Sequence, residues 1–225
     1  MAVIPSPPLS GQKALVLGIA NEHSIAFGCA CAFRKLGAEL AITYLNDKAR
    51  PYVEPLAREL EAPIFLPLDM QKAGQLETVF EQVGRTWGRL DIALHAIAFA
   101  PKEDLQGPLL NCSAAGFGVA MDISCHSFVR MAHLAAPLMT KGGTLFAMTY
   151  YGSNKVVPTY SVMGPVKAAL EAVTATWRRS SGPRASRFTR SRRARSRRER
   201  PPASPTSTNR WGVPPNALRH ISWQR

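Results

Sequence analysis

The stretch Lys13-Ala-Leu-Val-Leu-Gly-Ile-Ala-Asn-Glu-His-Ser-Ile-Ala26 decides the fold. Lys13–Leu17 is a short apolar run closed by a glycine, which reads as a buried first strand. Gly18 to Ser24 is a turn, and Ile25–Leu36 is a helix ending at Gly37, a good C-terminal cap. A glycine at Gly18 lets backbone approach a pyrophosphate, and the free N–H groups opening the helix favour an anion. The same residues also make a plain strand-to-helix connection. On the turn alone the two readings stand level, because Ala20 replaces a glycine of the usual Gly-x-Gly-x-x-Gly fingerprint and the loop is longer. Its place after the first strand favours the phosphate reading.

Strands and helices alternate outward from that unit. Glu39–Tyr44, Ile64–Leu68, Leu90–Ile97 and Thr144–Thr149 read as further strands. Pro51–Glu61, Ala73–Thr86, one long helix over Ala114–Met139 with an interruption left open, and Met163–Thr176 read as helices. This order predicts an α/β fold, a Rossmann-like doubly wound parallel sheet covered on both faces. Ligands of such sheets bind at the carboxyl ends of the strands. Gly18, Asp69, Ile97, Tyr150 and Tyr160 all fall there or just beyond.

Tyr160-Ser-Val-Met-Gly-Pro-Val-Lys167 sets a phenol and an ammonium seven residues apart, two turns along one helix face. Such a pair is a proton donor with its charge partner built in. Many helices carry Tyr and Lys at this spacing; the strand series before it makes the pair a candidate active site. Asp69 either accepts a hydrogen bond from an adenine amino group or caps the next helix, and sequence alone favours capping. Leu45-Asn46-Asp47-Lys48 stands where ribose selectivity is set, and the lack of an arginine in the immediate turn favours NAD over NADP. His95 reads as a hydrogen-bonded structural residue rather than a base. Tyr150-Tyr151 either lines a substrate pocket or covers the sheet edge. No His/Cys/Asp/Glu spacing matches a metal site, so no metal is expected. Cys29 and Cys31 lie in a helical apolar run and read as buried free thiols in a reducing, cytoplasmic compartment.

The chain has 225 residues and a net charge of +13. Residues 1–176 balance 14 Lys+Arg against 14 Asp+Glu, whereas residues 177–225 hold 14 Arg, no Lys and one acid, Glu199. The imbalance is therefore a composition break and not a basic domain face. It divides the chain into a dinucleotide-binding domain over 1–176 and an Arg/Pro-rich, disordered tail over 177–225. No apolar run reaches the length of a membrane span. Nothing after Thr176 reads as a sixth buried strand, so the C-terminal strands of the sheet are expected to be missing or disrupted.

With Gly18-x5-Ser24-Ile25-Ala26, Tyr160-x6-Lys167 resembles the enoyl-acyl-carrier-protein reductases, divergent short-chain dehydrogenases that carry this longer spacing where ordinary members carry Tyr-x3-Lys. The resemblance runs from about Gly11 to Ala172 through Thr43-Tyr44-Leu-Asn-Asp-Lys48, His95-Ala-Ile-Ala-Phe-Ala-Pro101, Asp122-Ile-Ser124, Ser127-Phe128, Tyr150 and Met163-Gly164. It implies reduction of a trans-2-enoyl thioester, carried on acyl-carrier protein, by NADH in bacterial fatty-acid synthesis. By the same resemblance Gly18, Ser24 and Ile25 hold the cofactor phosphates and nearby groups, and Asp69 and Met70 border the adenine. Ile97 lies near the nicotinamide, and Lys167 binds its ribose. Leu45 stands where many relatives carry a polar ribose-side residue. Ala98 replaces a glycine of some relatives. Ala100 lines the substrate. Tyr160 hydrogen-bonds the thioester carbonyl, and Tyr150 is the second active-site tyrosine. Family members are homotetramers, which a broken sheet edge would disturb.

The resemblance stops where the arginines begin. The family continues with a Leu-Ala-Ala-Glu-Leu-Gly-like segment, a strand, Ser-Pro-Gly-Pro, a mobile substrate-covering helix and a last strand. Reading the last base of each codon with the first two of the next, Trp177-Arg-Arg-Ser-Ser-Gly-Pro-Arg-Ala-Ser186 permits Leu-Ala-Ala-Glu-Leu-Gly-Pro-Lys-Gly-Ile. In the same way Thr189-Arg-Ser-Arg-Arg-Ala-Arg195 permits His-Ala-Ile-Ser-Pro-Gly-Pro. A shifted frame explains a tail rich in Arg and free of Lys. The expectation is family fold with activity severely reduced or absent. The alternative is an inactive Rossmann remnant whose basic tail binds nucleic acid or anionic membrane by counterion release. The missing lysines argue against a selected basic tail, so no specific nucleic-acid partner is expected.

Overall fold

The computed structural model describes residues 6–180 and 187–192, with side chains as far as Trp177. Six strands form one sheet: β1 (Lys13–Leu17), β2 (Glu39–Tyr44), β3 (Ile64–Pro67), β4 (Ile92–His95), β5 (Thr144–Thr149) and β6 (Arg187–Arg192). They lie in the order β3-β2-β1-β4-β5-β6, and every pair is parallel. The direction of winding reverses between β1 and β4, and such a switch point opens a crevice at the carboxyl ends of the strands.

Successive residues of β1, β2 and β4 are buried, all but the opening Lys13 and Glu39, because both faces of the sheet are covered. Leu15, Leu17, Ala41 and Ala93 join one core, filled by Val79 and Phe80 of helix α3 (Gln75–Trp87), Phe128 and Met131 of α6 (Ser127–Ala135) and Leu170 of α7 (Met163–Ser180). Their strand neighbours Ala14, Val16, Leu40, Ile42 and Leu94 face the other way, onto Ala26 and Ala30 of α1 (Ile25–Lys35) and Val53 and Leu56 of α2 (Arg50–Glu59). This period of two fixes each strand's register, since a one-residue slip would exchange the cores.

Three features differ from the sequence reading. The long helix expected over 114–139 is divided into α5 (Ala114–Met121), a π-helical turn (Asp122–His126), α6 and a 3-10 turn (Ala136–Leu138). A short helix α4 (Lys102–Leu105) precedes it, packed so that the Asp104 carboxylate accepts from Ser113 N at 2.6 Å. The third difference corrects the expectation that no strand follows Thr176. The backbone of Arg187–Arg192 pairs with β5 from Thr144↔Arg187 to Thr149↔Arg192. Hydropathy missed it because arginines erase the apolar period. Pairing itself is made by backbone groups, and β5 otherwise offers an open edge. Residues 181–186 and 193–225 lie outside the described residues, and with them most of the tail and of the frame-shift reading. Among the described residues, no helix is long and apolar enough to cross a membrane.

Candidate active site

A cleft of about 480 Å³ opens at the carboxyl ends of β1, β4 and β5, lined by residues from each of those ends and from the start of α7. Gly18 forms its floor. Its φ is +96°, and a Cβ there would stand 2.5 Å from the carbonyl oxygen of Ala96. Only glycine lets β1 and β4 come this close at their tips. The turn that follows is held by Ser24, whose hydroxyl donates to Asn21 O (2.7 Å) and accepts from Phe27 N (3.3 Å) as the N-cap of α1. Among the described residues, the next two backbone N–H groups, of Ile25 and Ala26, have no acceptor. Both residues line the cleft. They present donors and a helix N-terminus to it, which suits a phosphate.

Tyr150, Tyr160 and Lys167 form another part of the cleft wall. The two tyrosine rings pack edge to face, 4.8 Å between centroids. Burial, and secondarily Tyr150, push the Tyr160 phenol up to about 12, so it remains a proton donor at any neutral pH. Lys167 is 5% exposed and donates from Nζ to Met148 O at 2.8 Å. Desolvation lowers it to about 8, against a smaller opposing effect of Cys125. The sequence reading took the ammonium as the direct charge partner of the phenol. The structure instead ties it to the end of β5, with burial dominating both groups. Pro165 stands in the first turn of α7, where proline is tolerated.

His95 lies wholly buried beneath this wall. Its Nε2 is 2.7 Å from Ser127 Oγ, which donates its own proton to Ile123 O at 2.6 Å. Nε2 must therefore carry the proton, leaving Nδ1 a buried acceptor without a partner among the described residues. Desolvation, then Lys167, hold His95 down to about 3, so it is a neutral structural residue and not a base. The π-helical turn contributes Ser124, whose hydroxyl accepts from Phe99 N (2.8 Å) and donates to Phe99 O (2.9 Å). These two hydrogen bonds pin the segment after β4.

Of the sequence candidates, Gly18, Ser24, Ile25, Ile97, Tyr150, Tyr160 and Lys167 share the cleft, as does Ala98. Leu45, Asp69, Met70 and Ala100 do not line it. Leu45 is half exposed beyond β2, and Met70 is packed into the core. Asp69 caps a turn, its carboxylate accepting from Gln71 N at 3.0 Å, while α3 takes Gly74 as its N-cap. Ala100 packs at the edge of the first core. Sequence reasoning missed Met148, Thr149, Val157, Pro158 and Thr159 of the lining. Their position, at the carboxyl end of β5 for Met148 and Thr149 and just before Tyr160 for the other three, was the available signal. Cys29 and Cys31 are half buried rather than buried, and Cys125 is the buried thiol. Among the described residues, no group of three or more His, Cys, Asp or Glu could hold a metal ion.

The parallel sheet, the switch-point cleft and the glycine turn that lines it define a Rossmann-like fold. Comparison with known proteins makes the assignment narrower. Residues 18–189 match the family described as "Enoyl-(Acyl carrier protein) reductase", and the chain belongs to that family. It is 43% identical over 164 residues to enoyl-[acyl-carrier-protein] reductase [NADH] 2 of Rhizobium meliloti, covering 73% of this chain and 61% of that protein. It is 44% identical over 167 residues to the [NADH] FabI of a Nostoc species, covering 73% and 65%. The chain thus spans less than two thirds of the length of these relatives. Among solved structures, the enoyl-[acyl-carrier-protein] reductase (NADH) of Aquifex aeolicus matches with a TM-score of 0.78 at 37% identity, over 81% of this chain and 73% of that one. The Anaplasma phagocytophilum enzyme, solved in complex with NAD, matches with 0.76 at 40% identity, over 78% and 67%.

Proposed function

We propose that the cleft is the site of an NADH-dependent enoyl-thioester reductase acting on acyl-carrier-protein substrates in the cytoplasm. One observation carries this reading: Gly18, the open N–H groups of α1, Ile97, Tyr150, Tyr160 and Lys167 line one cleft at the switch point. Gly18, Ser24, Ile25 and Ala26 would hold the pyrophosphate, and Ile97 and Lys167 the nicotinamide side. Leu45, Asp69 and Met70 lie toward the adenosine side, beyond the cleft, with Ala100 toward the acyl chain. The bound dinucleotide would supply a hydride to the β-carbon of the enoyl thioester. Tyr160, protonated and desolvated, would donate a hydrogen bond to the thioester oxygen as negative charge develops there, where a buried donor is most effective. Tyr150 sets the face of that ring, and the Lys167 ammonium adds positive charge at the same wall.

The reading of the tail belongs with this proposal. From Trp177 the residues replace the family's cofactor-side Ser-Pro-Gly-Pro turn and substrate-covering helix by out-of-frame text. We therefore assign the reductase domain to 1–176 together with the end of α7 and the β6 strand added at the sheet edge, and expect turnover by this chain to be severely reduced. Fluorescence titration with NADH tests the binding half: saturable binding that is lost in Lys167→Met supports the cleft assignment. Binding that survives both Lys167→Met and Gly18→Ala places the dinucleotide elsewhere.

A further inference from the structure

We propose that Glu171 is a positioning residue for the tyrosine pair, holding the Tyr150–Ser153 loop against the ring of Tyr160. Its Oε1 accepts from Thr149 Oγ1 at 2.8 Å and from Ser153 Oγ at 2.7 Å. These two donors bracket Tyr150, Tyr151 and Gly152, so one carboxylate oxygen closes the loop from both ends. Glu171 stands one turn beyond Lys167 on α7, on the same helix face. Lys167 grips Met148 O, and Glu171 grips the next residue along the strand, Thr149. The loop has no slack against the phenol. A Cβ on Gly152 would fall 2.7 Å from Tyr160 Cδ1 and 3.2 Å from Tyr150 Cδ1, and one on Gly164 would fall 3.2 Å from Gly152 O. Any outward drift of the loop therefore opens space at the Tyr160 ring and admits water to it. Thr149 is buried, so losing the carboxylate would also leave its hydroxyl without this acceptor.

This inference uses the proposed reductase site only to say what the tyrosines are for; its test needs neither turnover nor cofactor. The full chain would be labelled with carbon-13 at the tyrosine ring carbon bearing the hydroxyl. Its five tyrosine signals would be assigned by single Tyr→Phe changes and followed with pH. In the parent chain Tyr160 should stay protonated far beyond the ordinary phenol value of about 10. In Glu171→Ala its titration should fall back toward that value, whereas Glu171→Gln, which keeps a carbonyl acceptor, should restore it. Glu77→Ala, which breaks the Arg130–Glu77 pair elsewhere on the fold, should lower stability without moving the Tyr160 signal. Should Glu171→Ala fail to fold, Ser153→Ala removes one donor and should move the Tyr160 signal in the same direction. An unchanged Tyr160 titration in Glu171→Ala overturns the proposal. So does an unchanged titration in Ser153→Ala when Glu171→Ala does not fold, or an equal shift in Glu77→Ala.

Discussion

Replacing Gly18 by alanine combines two separable penalties. The first is conformational, since an L-residue at φ +96° costs roughly 1–2 kcal/mol. The second is steric. The new methyl would stand 2.5 Å from Ala96 O, whose residue is fixed to β1 by the Ala96 N to Leu17 O bond of 3.0 Å. That backbone cannot rotate away as a side chain would, so relieving the overlap costs roughly 1–3 kcal/mol. Against these, alanine gains about 0.4–1 kcal/mol by restricting the unfolded chain. The net loss is about 2–4 kcal/mol, a large part of a typical domain stability of roughly 5–15 kcal/mol. At about 2–4 °C per kcal/mol, the thermal midpoint should fall by roughly 5–15 °C. Gly88→Ala supplies the control. Its φ is +65° with nothing within 4 Å of the added methyl, so only the conformational penalty applies. Urea unfolding of the two variants should give the same slope and midpoints separated by the steric part. Equal losses in both would refute the claim that β1 and β4 need a glycine where their ends close the cleft.

Other residues give independent tests. Thr159, a β-branched residue at φ +64° on the cleft wall, should be relieved by Thr159→Asn, raising stability by about 1 kcal/mol in thermal unfolding; no gain would remove the strain argument. Lys167 binds its proton less tightly folded than unfolded, so stability should rise between about pH 8 and 10.5. At about 1.36 kcal/mol per unit the rise approaches roughly 3 kcal/mol. Lys167→Met should lack this contribution when the pH dependences of the two unfolding curves are subtracted. His95 has the same sense of shift at lower pH: below 6.5 the unfolded chain takes a proton that the folded chain refuses until about 3. Acidification through that window should destabilise the fold, and His95→Gln should move the acid-unfolding midpoint downward; an unmoved midpoint would contradict a buried neutral imidazole.

Elements whose pattern is local were legible in the sequence. β1, β2 and β5 begin and end where their apolar runs do, and Ser24 caps α1 as its residue type invites. The Tyr160–Lys167 spacing and the Gly18 turn led to the cleft. What stayed hidden depends on partners distant in sequence. The π-helical turn owes its role to Ser124 meeting Phe99, which no periodicity records. Glu171 reads as an ordinary helical acid until Thr149 and Ser153 are brought to it. Asp69 offered a cap for the next helix or an adenine contact; in the described structure its carboxylate instead accepts from Gln71 N in a local turn, and α3 takes Gly74 as its N-cap. β6 escaped because hydropathy describes side chains while parallel pairing is made by backbone.

The cleft is proposed as an enoyl-thioester reductase site whose turnover requires the family text displaced after Thr176. Its most direct test is the rate of NADH oxidation with a crotonyl thioester, measured side by side for this chain and for one in which the frame is restored from Trp177 onward. Ready oxidation by the restored chain, dependent on Tyr160, and a severely reduced rate for the chain as it stands are the expected results. Equal rates would contradict the role given to the C-terminal segment, and no oxidation by the restored chain would contradict the reductase site itself.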